Sequence, residues 1–407
     1  MGGALLDLVA KGGQDVYFIS NPQISFFKKV YKRHTNFSLE FQKYQVDSIL
    51  NFGKSTTFTI PRKGDLVKNL FLEIDLPNLT SKDGRKVSYV NYIGYAIIDY
   101  IEIYINTTKI DRITSDWMYI YNEFVIPENK KVGYNSMIGG KNILSYNTTN
   151  GNQGGTYLIP LNFWFNKDIG SAIPHTALQY SDIQLKIKFN DFDKLWISED
   201  SLEPVGSFKV NNVNIGIEQI YLDTAERKEF ATQSHEYLIK QVQSSLKNNI
   251  VPNQKIKTFN INFNHPILEI FFVIHTKSKL TSKENTGKDY FNFSKTDDSI
   301  LRDTIKNAKI ILNGQDRTPE MTNKELRLYQ PIQYHTSIPN NIIYMYSFSL
   351  NPETFQPSGS CNFSRFDNKQ IQIEFADDIP NSELKIYAVN YNILRISKGL
   401  AGLAYIN

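Results

Sequence analysis

Tyr100-Ile-Glu-Ile-Tyr-Ile-Asn106 runs into Lys109-Ile-Asp-Arg112, and further along the chain Ala308-Lys-Ile-Ile-Leu-Asn313 runs into Gly314-Gln-Asp-Arg317. Each is an alternating apolar run, a short polar turn and a second strand-like segment. Working outward, the same order is written twice. Tyr157-Leu-Ile-Pro-Leu161 leads to Ser181-Asp-Ile-Gln-Leu-Lys-Ile-Lys-Phe189, as Met345-Tyr-Ser-Phe-Ser-Leu350 leads to Asn368-Lys-Gln-Ile-Gln-Ile-Glu-Phe375. Upstream, Thr57-Phe-Thr-Ile-Pro61 precedes Leu70-Phe-Leu-Glu-Ile74, as Phe259-Asn-Ile-Asn-Phe263 precedes Ile267-Leu-Glu-Ile-Phe-Phe-Val-Ile274. Period-two alternation bounded by turn residues marks half-buried strands, and a duplicated order marks a duplicated unit.

The 407 residues are enough for two cores. The 24 Tyr and 26 Phe, with abundant Ile, Val and Thr, suit pleated, half-buried surfaces. Two packed antiparallel sheets of about eight strands make a jelly roll, which manages the exposed-edge problem of sheets. The expected fold is therefore all-β: two tandem eight-stranded antiparallel jelly rolls, a double jelly roll, with an N-terminal arm and a short inter-domain helix. The expected boundaries are 1–36 for the arm, 37–222 for the first jelly roll, 223–245 for the helix and linker, and 246–407 for the second jelly roll and tail.

In the arm, the spacing of Leu5, Leu6, Leu8 and Val9 places them on one helical face, ended by Gly12-Gly13. This start either packs on its own domain or reaches neighbouring molecules. Lys28-Lys29 and Lys32-Arg33, interleaved with Phe26, Phe27 and Tyr31, read as a solvated or interface face. In the linker, Asp223 or Thr224 serves as N-cap, Glu226 and Glu229 lie near the positive helix end, and Phe230, Tyr237, Leu238 and Val242 share a face. The apolar, glycine-rich end Gly399–Ile406 is expected to tuck against the fold or a neighbour.

Chemistry is sparse. The six histidines form no metal-binding spacing, and His235-Glu236 lacks a second histidine one turn on. Asp191 with Asp193, Asp297 with Asp298 and Asp377 with Asp378 read as solvated loop acids rather than an acid–base pair. No phosphate-binding loop or nucleophile elbow is present. The single Cys361 rules out an internal disulfide and suits synthesis in a reducing cytosol. A net charge of +4 is too balanced for a nucleic-acid-binding face. The sequence carries neither a signal-peptide pattern nor a membrane-spanning run. No catalytic residue, metal or cofactor is expected. The six Asn-x-Ser/Thr sites, at Asn36, Asn78, Asn106, Asn147, Asn292 and Asn362, are not expected to be conventional secretory glycans.

Three stretches carry a family resemblance. Gly12–Phe37 includes Asp15, Tyr17, Pro22, Phe26, Phe27 and Tyr31, and resembles the N-terminal arm of the major capsid proteins of large nucleocytoplasmic DNA viruses. Leu222–Ala231 with His235–Ile239, including Asp223, Arg227, Phe230, His235 and Tyr237, is similar to that family's inter-domain helix. Tyr346–Ser364, including Asn351, Pro352, Pro357, Ser358 and Gly359, resembles its C-terminal signature together with Asn390, Tyr391 and Asn392 of Ala388–Arg395. The resemblance spans essentially the whole chain in the same order.

It implies a structural protein that trimerises into a pseudo-hexagonal capsomer. Capsomers tile an icosahedral shell around an internal membrane and a double-stranded DNA genome. The implied partners are further copies of the chain and minor capsid proteins beneath the shell. The membrane lies nearby without being entered, and DNA is not contacted directly. The implied place is the virion, after synthesis in the host cytoplasm. The arm would lie on the inner side, and the loops Asn147–Gly155 and Thr276–Lys288 on the outer surface. These loops are short for the family, so large outward decorations are not expected. A less abundant capsid paralogue or a transient assembly scaffold would share these features. A glycan-binding or glycan-acting β-sandwich would need convergent carboxylates or aromatics in a cleft, and none stands at an informative spacing.

Overall fold

The structure is a computed structural model that describes residues 2–46, 50–80, 87–140, 154–198, 204–245, 248–281, 290–295 and 301–405. The chain divides into two compact units, Met1–Asn36 and Phe37–Asn407. The first unit holds two short helices, α1 (Gly3–Val9) and α2 (Val16–Ile19), with no buried residue in either.

The second unit is built from strands. Its first half contains β1 (Phe37–Gln45), β2 (Ser55–Thr59), β3 (Leu66–Leu76), β4 (Ile98–Ile105), β5 (Thr108–Thr114), β6 (Gly155–Pro160), β7 (Ile183–Phe189) and β8 (Asn212–Leu222). Hydrogen bonding orders them β1–β8–β3–β6 in one sheet and β2–β7–β4–β5 in the other. The second half contains β9 (His235–Ser244), β10 (Ile256–Asn260), β11 (Pro266–Thr276), β12 (Ile305–Leu312), β13 (Gln315–Asp316), β14 (Tyr344–Ser347), β15 (Lys369–Phe375) and β16 (Ser382–Ser397). Their orders are β9–β16–β11–β14 and β10–β15–β12–β13. Adding eight to each strand number turns the first pair of orders into the second. Neighbouring strands pair antiparallel throughout. This is a double jelly roll. Every repeated segment read from the sequence falls on equivalent strands of the two halves.

Alternation explains each core. On β3, Leu70, Leu72, Ile74 and Leu76 are buried while Phe71, Glu73 and Asp75 are half-buried. On β7, Ile183, Leu185, Ile187 and Phe189 point inward with Gln184, Lys186 and Lys188 between them. The second half departs from this in one place. Strand β11 is buried at every position after Pro266, and so on both faces. Its outer face is covered from the first half, as described below.

Two helical expectations are corrected. The inter-domain helix is α5 (Thr224–Thr232) and stops well short of 245. Beyond it, His235, Tyr237, Leu238 and Val242 lie on β9, so they share no helix face with Phe230. The period-two alternation of His235–Ser244, in register with β16 from His235 opposite Ile396 to Ser244 opposite Tyr387, wins over helical spacing. Two further helices, α3 (Ser115–Val125) and α4 (Glu128–Ile138), follow β5.

The C-terminal segment Leu400–Leu403 folds back as a hairpin strand on Leu394–Ser397. The Gly399 carbonyl accepts a hydrogen bond from the Tyr180 N–H at 3.0 Å, so this end is tied to the first half. The pair Asp297 and Asp298, the sequon at Asn147, and most of the loops at 147–155 and 276–288 lie outside the described residues.

Candidate functional site

In the arm, Leu5, Leu6, Leu8 and Val9 on α1 are all exposed, and so are Tyr17 on α2, Pro22, Phe26, Phe27 and Tyr31. Asp15 precedes α2 and accepts the Gly12 N–H at 2.8 Å, which fixes the turn between the helices. The first unit thus presents a row of large apolar side chains with no core of its own. Such a surface marks an interaction site.

Within the second unit, the two jelly rolls meet at a dense junction. Helix α3 starts where β5 ends, with the Thr114 hydroxyl capping the Trp117 N–H. Trp117 packs against Phe271 of β11 and Tyr387 of β16, with centroids 5.4 and 5.8 Å apart. Phe124 packs against Phe271 and His335 at 5.1 and 4.9 Å. Beside the helix, Asp111 of β5 accepts the Val242 N–H of β9 at 3.1 Å, and Gln241 donates to the Ile110 carbonyl. This is the cover over the outer face of β11.

The junction also holds charge. Asp116 on α3 is bridged by Lys385 and accepts the Tyr387 hydroxyl at 3.3 Å. Burial alone would raise its pKa, but Lys385 and His275 hold it below the usual carboxylate range. For Asp111, burial wins over its backbone hydrogen bonds and pushes the carboxyl up to about 6. His335, with a fully buried side chain, lies between Glu269 at 2.7 Å and Glu353 at 2.9 Å. Burial lowers its pKa, but the two carboxylates outweigh burial and raise it to about 9. Neither His275 nor His335 stands at an informative spacing in the sequence. Their partners come from other elements, Asp116 from α3, Glu269 from β11 and Glu353 from the turn after β14, so no spacing reveals them.

Helix α5 sits on the first jelly roll. The Asp223 carboxylate accepts the Thr224 N–H at 2.7 Å, and Arg227 pairs with Asp65 at 2.9 Å. Phe230 packs on a small cluster of Leu66, Ala172, Ile220 and Leu222. The His235 ring stacks on Phe230 at 5.2 Å, with Tyr237 beyond it at 6.0 Å. Helix and strand residues of the motif therefore meet in space although they belong to different elements.

The C-terminal signature is a turn and a polar ladder. The Ser358 hydroxyl accepts the Asn351 N–H at 2.8 Å and contacts the Ser349 hydroxyl at 2.7 Å. Gly359 takes φ +123°, which an L side chain rarely adopts, and exposed Pro357 precedes the pair. The carbonyl of buried Pro352 accepts from Lys240 at 2.7 Å, which ties this turn to β9. Buried Asn390 accepts from Gln243 at 3.0 Å, and buried Asn392 donates to Gln241 and to the Tyr405 carbonyl at 2.9 Å each. Tyr391 lies between them, also buried. The ladder holds β9 to β16 through side chains as well as backbone.

A cleft of ≈160 Å³ opens at the junction, lined by Trp164, Lys167, Leu238, Lys240, Glu353 and Phe355 among others. It assembles no nucleophile, base and oxyanion donors within reach of one another. Among the described residues no group of His, Cys, Asp and Glu is arranged to hold a metal ion, and no helix is long and apolar enough to cross a membrane.

Two jelly rolls of one strand order, locked together by a helix and preceded by an apolar arm, define a double jelly-roll structural protein. Comparison with known proteins agrees. Residues 25–226 match the family described as major capsid protein N-terminus, and residues 226–402 match the large eukaryotic DNA virus major capsid protein family. The chain is 35% identical to the major capsid protein of Pyramimonas orientalis virus along the whole of both chains. It is 31% identical to that of Paramecium bursaria Chlorella virus 1, again along the whole of both. Among solved structures, a chain of the PBCV-1 virus capsid superposes with a TM-score of 0.81 at 26% identity, covering 94% of this chain and all of that one. The chain belongs to the family of major capsid proteins of large eukaryotic DNA viruses. It is a structural protein of the virion capsid and not an enzyme.

Proposed function

We propose that three copies of this chain close into a pseudo-hexagonal capsomer, and that capsomers tile the icosahedral shell of a virus with a double-stranded DNA genome. The observation that carries this reading is the repeated strand order. Three chains of two like jelly rolls offer six like edges around one axis, so one protein can fill a nearly six-fold lattice. The exposed arm supports contacts with neighbouring capsomers or with minor capsid proteins beneath the shell. The absence of a concentrated basic face in the sequence favours a shell that encloses DNA without binding it, and an internal membrane that is neighboured rather than entered. A single cysteine fits synthesis in the host cytoplasm.

The test is the mass of the purified protein in solution, by light scattering after size exclusion. Three chains of 46.9 kDa give about 141 kDa. A stable species at the mass of one chain, at concentrations well above those of assembly, contradicts the trimer.

A further inference from the structure

The cleft at the junction is walled by three chain segments drawn from both jelly rolls. The short helical turn Trp164–Lys167, between β6 and β7, comes from the first. Leu238 and Lys240 come from the second, two residues apart on one face of β9, while Ile239 between them is buried in the core. Glu353 and Phe355 come from the turn after β14, again two residues apart. Trp164, Leu238 and Phe355 give the cleft apolar walls. At ≈160 Å³ it is smaller than the pockets that take drug-sized ligands, so it admits only a small molecule.

The polar groups left free in this cleft are donors. The Lys167 Nζ lies 3.9 Å from the centroid of the Tyr121 ring, and among the described residues it makes no hydrogen bond and no ion pair. The Lys240 Nζ donates to the carbonyls of Pro352 and Thr354 at 2.7 Å each, which occupies two of its three protons. The Trp164 indole N–H, on a side chain 4% exposed, has no acceptor among the described residues. The acceptors of the cleft are already engaged. Glu353 takes the Thr336 N–H at 3.0 Å, the Thr336 hydroxyl and the His335 ring at 2.9 Å. Asp168 takes the Gly170 N–H at 3.1 Å. Donors without acceptors suit a ligand that brings acceptors of its own.

Charge points the same way. Burial pulls both ammonium groups down to about 8, and at Lys240 the Lys167 charge adds to the fall, while Glu269 and Glu353 oppose it at both. Two like charges therefore share one cleft, and an anion between them favours the charged form of each. Lys167 is exposed, so an anion can reach it from solvent. Inorganic phosphate would press charged oxygens against Trp164, Leu238 and Phe355, whereas a carboxylate confines its charge to one end and leaves a carbon body for the apolar walls.

We propose that this cleft binds a small monocarboxylate with a compact apolar body, its carboxylate between Lys167 and Lys240 and its body against Trp164, Leu238 and Phe355. Because the walls come from both jelly rolls, such a ligand braces the junction. Bound only by the folded chain, it raises the melting temperature. The proposal does not depend on the trimer reading.

The test titrates the full-length wild type with para-fluorobenzoate, followed by fluorine NMR, beside the uncharged para-fluorobenzyl alcohol. Saturable binding of the carboxylate is expected, at least tenfold tighter than that of the alcohol, with a rise in melting temperature at saturation. Lys167→Met keeps the apolar stem and removes the charge, and it should weaken binding at least tenfold. Phe355→Ala, at an exposed position, should weaken it several-fold. Absence of saturable binding to the wild type, or equal binding of carboxylate and alcohol, overturns the proposal. Undiminished affinity in Lys167→Met places the carboxylate elsewhere and overturns it as well. Should Lys167→Met not fold, undiminished affinity in Phe355→Ala overturns it instead.

Discussion

The indole of Trp117, carried by the first jelly roll, stands edge-on to the ring of Phe271 in the second, with centroids 5.4 Å apart. Both side chains are fully buried. The two halves are therefore joined by a continuous core, and they should unfold as one. Trp117→Ala removes the largest side chain at this junction and should cost about 3–5 kcal/mol. Urea unfolding followed by circular dichroism checks this. A loss under about 1 kcal/mol would mean that the junction adds little beyond the separate cores.

His335 makes the junction sensitive to pH. Its pKa in the folded protein is raised to about 9, above the 6.5 of a free imidazole. The folded state therefore binds the proton more tightly than the unfolded chain. The stabilisation is fully present below about pH 6.5 and is lost as pH rises towards 9. The urea midpoint should fall over that window, and His335→Gln should flatten this part of the profile. Parallel profiles for wild type and variant would show that the imidazole stays neutral between Glu269 and Glu353.

Phe230 holds α5 to the first jelly roll through Leu66, Ala172 and Ile220, and to β9 through the His235 ring. Phe230→Asp places a carboxylate in this contact and should destabilise the protein by roughly 2–4 kcal/mol. An unchanged melting temperature would contradict the packing.

The arm is a separate compact unit with exposed side chains. Deleting residues 1–20 should leave the melting temperature of the jelly rolls within a degree or two and leave trimers intact, while shell assembly fails. Particle formation is read by electron microscopy of co-expressed capsid components. Loss of cooperative folding on deletion would make the arm part of the core.

The sequence made the jelly rolls readable because period-two alternation is a local signal that repeats. Tyr100–Asn106 and Ala308–Asn313 each show it, and they became β4 and β12. What it hid depended on distant partners. Ser115–Val125 is rich in aromatic and β-branched residues that favour strands, and only burial against Phe271 and Tyr387 makes it a helix worth forming. Its local signal was the Thr114 cap with Asp116 in the first turn. His235–Ser244 follows α5 within three residues, so helical spacing runs on into it, but its own alternation and its pairing with β16 make it a strand. Asp116 with Lys385 and His335 with Glu269 are too far apart in sequence for any spacing to join them. The signature residues Asn390 and Asn392 stood out as a motif, but their bonds to Gln243 and Gln241 became visible only once β9 lay beside β16.

The central claim is that two equivalent jelly rolls in each of three chains build one six-lobed ring. Class averages of the purified assembly in electron microscopy test it most directly. The account predicts a particle with three-fold symmetry, a hexagonal outline and six lobes of similar size. A triangular or open particle, in which the two halves of each chain take unlike positions, would contradict it.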